Sequence, residues 1–101
     1  MPTDQQLILA VKILGALLEN YSRGLTVEEI DRIYIKDKYT SQWEIQKVLN
    51  GLFDEKLVDK KPSSITQNQI KKNIILYRIT SEGYKIYATL REDAEKKSRL
   101  R

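Results

Sequence analysis

Side chains able to make directed polar and aromatic contacts gather between Thr40 and Asn50: Thr40, Ser41, Gln42, Trp43, Gln46, Lys47 and Asn50. Glutamine and asparagine can bond adenine through two atoms at once, and lysine can reach guanine or a phosphate. An exposed indole can lie against a thymine methyl or a sugar; the alternative for Trp43 is packing on the preceding turn or on Tyr39. Thr40, Ser41 and Gln42 stand where a helix should begin, and an anion is favoured near the positive end of the helix dipole. A second group follows: Lys60, Lys61, Ser63, Ser64, Thr66, Gln67, Asn68, Gln69, Lys71 and Lys72. A polar, basic segment of this kind suits a nucleic-acid backbone or minor groove. Other chemistry has little to work with. The chain has no histidine and no cysteine, which removes the commonest general base, the commonest zinc ligands and any disulfide. It has no glycine-rich phosphate loop. Catalysis is therefore the weakest reading, and no metal or cofactor is expected.

Charge divides the chain in two. Residues 1–55 hold 6 Lys/Arg against 9 Asp/Glu, whereas residues 56–101 hold 12 against 5. Basic charge gathered at one end points to an anionic partner, although a solvated basic surface would look the same. With 101 residues, 41% of them apolar and 32% charged, one globular domain is expected. The N-terminus lacks the pattern of a signal peptide, and the longest apolar run, Leu7 to Val11, is too short to span a bilayer. A cytoplasmic, nucleoid-associated location is the expectation.

The elements that must position these residues announce themselves by caps and periodicity. Thr3-Asp4-Gln5-Gln6, Thr26-Val27-Glu28-Glu29 and Ser41-Gln42-Trp43-Glu44 have the form of capping boxes. The first predicts a helix over 4–20, with Leu7, Ala10, Val11, Leu14, Leu17, Leu18 and Tyr21 on one face and a narrower stripe of Leu9, Ile13 and Ala16 beside it. Gly24 should stop the chain from continuing as helix. The second predicts a helix over 27–37 that turns Val27, Ile30, Ile33 and Tyr34 inward. The third predicts a helix over 42–56, where Ile45, Val48, Leu49, Leu52 and Phe53 recur at amphipathic spacing. Its polar side then carries Trp43, Gln46, Lys47, Asn50 and Asp54. Leu57–Lys61 and Asn73–Thr80 read as strands of a hairpin over 57–80, separated by a polar loop, 62–72, too long for a tight turn. A last helix is predicted over 81–97.

Two helices joined by a few residues, with a hairpin directly after the second, resemble the winged-helix family. The segment Tyr77-Arg-Ile-Thr-Ser-Glu-Gly83 is similar to the "Tyr-x-Leu-Thr-x-x-Gly" junction of PadR-like and MarR-like regulators and of small archaeal winged-helix proteins, with Ile79 where leucine is usual. The resemblance spans roughly residues 5–95. It implies a single winged helix-turn-helix domain over 1–101, mainly α with a two-stranded β-hairpin in the order α-α-α-β-β-α, without cofactor. The third helix would enter the DNA major groove, and the hairpin would be a basic wing. Residues 56–79 hold six basic residues and one acid, so binding should weaken steeply with salt. Glu44, Asp54 and Glu55 dilute the positive charge of the third helix, which leaves much of the affinity to the wing.

Leu9, Ile13 and Ala16 on the first helix, and Ile86, Tyr87, Leu90 and Ala94 on the last, exceed what one small core should need. They are expected to form a homodimer interface, as the terminal helices do in the PadR-like and MarR-like proteins; the alternative is that the two helices pack on each other within one chain. A two-fold dimer would present two third helices about one duplex turn, ~34 Å, apart. The leading expectation is a dimeric transcription regulator bound to double-stranded DNA. The alternatives are an architectural or partition protein that spreads along DNA through side-by-side dimer contacts, and a winged helix used for protein–protein interaction, which the acidic first half would allow.

Overall fold

The computed structural model describes residues 4–36 and 38–99. The expected cap at Thr3 and the expected helix end at Asp37 lie outside the described residues. The order of elements is α1 (Asp4–Glu19), α2 (Val27–Glu29), a π-helical segment (Ile30–Ile35), α3 (Gln42–Asp54), β1 (Val58–Gln67), β2 (Ile70–Ile79) and α4 (Ser81–Arg99). The architecture is therefore helices followed by a two-stranded antiparallel hairpin and a final helix.

Helix α1 packs against α4, α3, β2 and the π-helical segment. So many neighbours need a broad buried face. Ile13, Leu14, Ala16 and Leu17 are all buried, so the two stripes expected on this helix are one continuous surface. Its centre is shifted from the expected one, and Tyr21 is exposed. The helix gives way at Asn20, whose side chain donates to the Ala16 carbonyl (2.9 Å) and to the Tyr34 hydroxyl (2.7 Å). Gly24 follows at φ 84°. A side chain there would meet both a strained backbone and the Tyr77 carbonyl. Leu25 then exchanges two backbone hydrogen bonds with Tyr77 (3.0 and 2.8 Å), which ties the base of β2 to the body.

Thr26 and Glu29 form the reciprocal cap that their spacing predicts, each side chain accepting from the other's backbone N–H at 3.1 Å. Arg23 closes on the same carboxylate at 2.8 Å. Partial burial pushes the Glu29 carboxyl upward, but the bonds from Arg23 and Thr26 outweigh it and hold the group below its ordinary value of 4.5. A depressed folded value means stability that is present above the unfolded value and lost as pH falls through the folded one. Glu29→Gln should therefore be less stable than the parent at neutral pH. Denaturant titrations at a series of pH values should show the gap closing on acidification below about 4.5; a constant gap would mean that the charge contributes nothing.

After one α-turn the chain widens into π geometry, where the Lys36 N–H bonds the Asp31 carbonyl five residues back. Five-residue spacing puts Ile30 and Ile35 on the same side, and both are buried. The regular helix expected over 27–37 would have turned Ile33 inward; instead it is exposed.

Helix α3 starts at the Ser41–Glu44 capping box and ends two residues before the expected boundary. Lys56 adopts a left-handed conformation (φ 65°), with the Lys56 N–H on the Phe53 carbonyl and the Leu57 N–H on the Leu52 carbonyl, both at 2.9 Å. This Schellman arrangement satisfies the terminal carbonyls and points the chain into β1.

The hairpin departs most from expectation. Residues 62–72 are not a loop, for both strands continue to a two-residue turn at Asn68-Gln69. Both turn residues have positive φ, 51° and 65°, as a type I′ turn demands. Asn68 suits it, but the absence of glycine hides the signal. Pro62 also reads as a strand breaker. Its place in the ladder removes the objection: Tyr77 turns its N–H and C=O away from β1 towards Leu25, and Lys60 pairs with Tyr77. By the alternation of an antiparallel ladder, Pro62 two residues on also faces its nitrogen outward, where no donor is needed.

Thr80 starts α4. Its hydroxyl accepts from the Gly83 N–H (3.0 Å) and donates to the Lys56 carbonyl (2.7 Å), joining the end of α3 to the start of α4. Helix α4 lies along α1, with the Tyr87 hydroxyl directly over Gly15. This corrects the expected dimer surface. Ile13, Ala16 and Ala94 are buried inside the chain itself, because α1 and α4 use them against each other and the core. Leu9, Tyr87 and Leu90 are half-buried and pack on that core, while Ile86 is 38% exposed.

Candidate nucleic-acid interface

One face of α3 and one side of the hairpin form the two walls of an open groove of about 740 Å³. Gln42, Trp43 and Gln46 line the helical wall; Pro62, Ser63, Lys72 and Asn73 line the hairpin wall; and Tyr77 is among the residues between them. The helix can present this face because Ile45, Leu49 and Leu52 fix its opposite side in the core. The hairpin stays beside it because Val58 and Tyr77 are core residues and Leu25 grips Tyr77 from the other edge.

Trp43 is 70% exposed, and the Lys47 ammonium lies 5.4 Å from its ring centre. The Trp43 side chain is thus largely exposed, and it lines a second pocket together with Tyr39 and Thr40. The cation over the ring restricts both groups and brings a positive charge to an aromatic surface. Asn50 is also exposed, one turn further along. Gln46 is held in place: its side-chain nitrogen donates to the Tyr77 hydroxyl (2.7 Å) and to Asn50 Oδ1 (3.0 Å). The part played by Tyr77 has no local sequence signal, since it acts from 31 residues away.

The start of α3 differs from an open anion site. The Ser41 hydroxyl accepts from the Glu44 N–H (3.2 Å), and the Glu44 carboxylate folds back onto Ser41 (3.4 Å). A carboxylate thus already occupies the positive end of the helix dipole, and a phosphate arriving there meets like charge. Gln42 is bonded to Asp31 of the π-helical segment (3.2 Å), and Thr40 is half-buried. Of the residues expected at the helical surface, Ser41, Gln42, Trp43, Lys47 and Asn50 are exposed, with Ser41 engaged by Glu44 and Gln42 by Asp31.

The basic residues of the hairpin divide by register. Adjacent strand residues point to opposite faces. Lys60, Thr66 and Lys71 consequently share one face, and Lys61, Ser63, Gln67 and Lys72 share the other, since Thr66 pairs with Lys71 and Ile65 with Lys72. Lys60 turns back to the body, 4.4 Å from the Phe53 ring centre. Arg78 bonds the Tyr21 carbonyl (3.2 Å). Residues 64–73, which include Ser64, Asn68, Gln69, Lys71 and Lys72, are all exposed.

Among the described residues no cluster of acids is arranged to hold a metal ion, and no helix is long and apolar enough to cross a membrane. No protein-family model matches the chain, and no curated protein matches it in sequence.

Proposed function

We propose that this chain is a winged-helix DNA-binding protein that acts as a homodimer, most simply as a transcription regulator. Helix α3 would enter the major groove and the hairpin would be the wing. The observation that carries this reading is the shared groove, in which the exposed Trp43 face of α3 and the lysine-bearing hairpin stand side by side. One double helix laid along that face would meet both. Trp43, Lys47 and Asn50 then face base edges, and Lys61, Lys71 and Lys72 face phosphates.

Fluorescence anisotropy of labelled duplexes across salt and protein concentration tests the reading. Binding that weakens steeply with salt is expected. No binding to duplex DNA at low salt would overturn it in favour of a protein-interaction module. A second reading, a DNA-coating or partition protein, is favoured by the tethering of Gln42 and Gln46 within the chain and by the carboxylate at the start of α3, because all three reduce base discrimination. A footprint confined to a short palindrome supports the regulator; one that lengthens with protein concentration supports coating.

The dimer is assigned to the surface that α1 and α4 leave available. An apolar groove of about 380 Å³ runs between α1, α3 and α4, lined by Leu7, Ala10, Val48, Leu52, Ile86 and Leu90 among others. Ile86 at its edge is the exposed anchor. Ile86→Asp should leave the fold intact and yield a monomer in sedimentation velocity, because a buried unpaired charge at an interface costs several kcal/mol, roughly 3–5. An unchanged sedimentation coefficient would remove Ile86 from the interface.

A further inference from the structure

A cleft of about 480 Å³ lies where α1, the end of the π-helical segment and the start of α3 meet, and no hairpin residue lines it. Its volume is in the range of small-ligand sites, roughly 300–1,000 Å³. Leu9, Ile35 and Val48, which belong to the core or pack on it, give the cleft an apolar lining. Two large aromatic side chains stand at it: Tyr39 is 81% exposed and Trp43 70% exposed. Each has an ammonium over its ring, Lys38 at 5.2 Å and Lys47 at 5.4 Å from the ring centre. Gln5, Lys12 and Glu44 add an amide, a further ammonium and a carboxylate. Aromatic side chains left this exposed contribute little to folding.

We propose that this cleft binds a free nucleotide, its base stacked on Trp43 and Tyr39 and its phosphate held by Lys12 and Lys47. The chemistry selects this ligand in three steps. Two ring faces in one cleft suit a flat π-system, and every nucleobase stacks on aromatic side chains. Ammonium groups beside those rings add a site for negative charge, and lysine binds phosphate as a point charge. The Gln5 amide and the Glu44 carboxylate then present donors and acceptors together, which matches the edge of a base. A simple aromatic acid would satisfy the rings and the lysines but would bring like charge to Glu44 and no donor. Glu44 Oε1 already accepts from Ser41, and a carboxylate can accept several N–H groups, so bases with an exocyclic amine should be preferred to uracil. The cleft has the volume for one nucleotide, which favours a free nucleotide over a strand. Trp43 also lines the groove between α3 and the hairpin. If that groove takes DNA, as the DNA-binding reading holds, nucleotide and duplex compete for one side chain, and the nucleotide releases the duplex.

Trp43 is the only tryptophan in the chain, so its fluorescence reports the cleft without a label. The intact chain, free of DNA, is titrated with AMP, CMP, GMP and UMP. At least one amine-bearing nucleotide should quench saturably, with a Kd between about 10 µM and 1 mM, and should bind more tightly than UMP. Ribose 5-phosphate and benzoate should not displace it. Tyr39→Ala, at an exposed position, should weaken binding about fivefold or more, the least that one lost base–aromatic stack produces, and Tyr39→Phe should bind as the parent does. Lys12→Ala should weaken AMP but not adenosine, a split that a general disturbance of α1 would not give. Tyr84→Ala, an exposed tyrosine on α4, should change nothing. The free-nucleotide site is overturned by absence of saturable quenching, by equal binding of ribose 5-phosphate or benzoate, or by unchanged affinity in Tyr39→Ala. It is also overturned if Tyr84→Ala loses as much, or if a hexadeoxyadenylate strand binds more than about tenfold tighter than AMP. Equal losses of AMP and adenosine in Lys12→Ala overturn the phosphate contact. In a second arm the best nucleotide is added to a preformed complex with labelled duplex, and the anisotropy should fall. A duplex that binds and is not released overturns the competition and leaves the site. Absence of duplex binding overturns the DNA reading and the competition with it, whereas the nucleotide site stands or falls on the quenching alone.

Discussion

Replacement of Lys71 and Lys72 together by alanine is expected to weaken duplex binding about 60-fold at 0.1 M monovalent salt and about 18-fold at 0.2 M. The figures follow from counterion release, in which each neutralised phosphate contributes about 0.9 to the slope of log K against log salt. Two lost contacts lower the slope by about 1.8, and the loss shrinks as salt approaches 1 M, where that contribution vanishes. Two hairpins engaged in a dimer would double the drop to about 3.6. The single variants carry the geometric information. If the ribbon stands edgewise in the groove, Lys71→Ala and Lys72→Ala should each lower the slope by about 0.9 per hairpin. If it lies flat, one of them should be nearly silent, since the register puts the two side chains on opposite faces. Lys60→Ala should change the slope least, because that ammonium is directed at the Phe53 ring. Anisotropy titrations at four or more salt concentrations measure all of these. Parallel lines for parent and double variant would show that neither lysine meets a phosphate.

The largest effect on stability is expected at Gly83. It sits in the first turn of α4, where a Cβ would collide with the Leu57 carbonyl oxygen and crowd Ile79. The carbonyl cannot yield cheaply. It accepts the Thr80 N–H at 3.1 Å, and Leu57 itself is held by the hydrogen bond that closes α3. The first turn of α4, the end of α3 and the start of β1 would have to separate together. Gly83→Ala should cost about 3 kcal/mol or more, out of a total of roughly 5–15 for a domain of this kind, and lower the Tm by roughly 12–24 °C. Gly51→Ala is the matched control. Gly51 lies in α3 with nothing within 4 Å of where a Cβ would stand, so alanine there should stabilise by about 0.5–1 kcal/mol through helix propensity alone. Thermal melts followed by far-ultraviolet circular dichroism separate the two. A Gly83→Ala protein that melts within a degree or two of the parent would mean that the α4 junction is not the close contact described above.

Gly83 also shows how a local signal and a tertiary cause divide. The Thr80-x-x-Gly83 spacing marks a helix start from sequence, and the hydroxyl does cap the Gly83 N–H. What makes glycine necessary is a carbonyl 26 residues away, which no local pattern contains. The hairpin gives the opposite lesson. Its inner strands were legible from β-branched residues, but its outer half was not. Polar composition, Pro62 and a turn without glycine all argue for a loop, and strand pairing across the whole length prevails because the outward-facing proline nitrogen costs nothing.

The capping boxes at Thr26 and Ser41 and the spacing of apolar residues were enough to determine the order of helices, the position of α3 and the polar face it carries, because those signals act within one or two turns. The broad face of α1 was split by the same reasoning into a core stripe and a surplus one. Periodicity reports that a side is apolar, but not how many neighbours cover it. The fate of Ile13, Ala16 and Ala94, the wider turn that exchanges Ile33 for Ile35, the capture of Gln46 by Tyr77, and the placing of α3 and the hairpin around a common groove were all decided by tertiary structure. Each depends on contacts between distant segments that must fill one volume together, and that shared packing has no period in the chain.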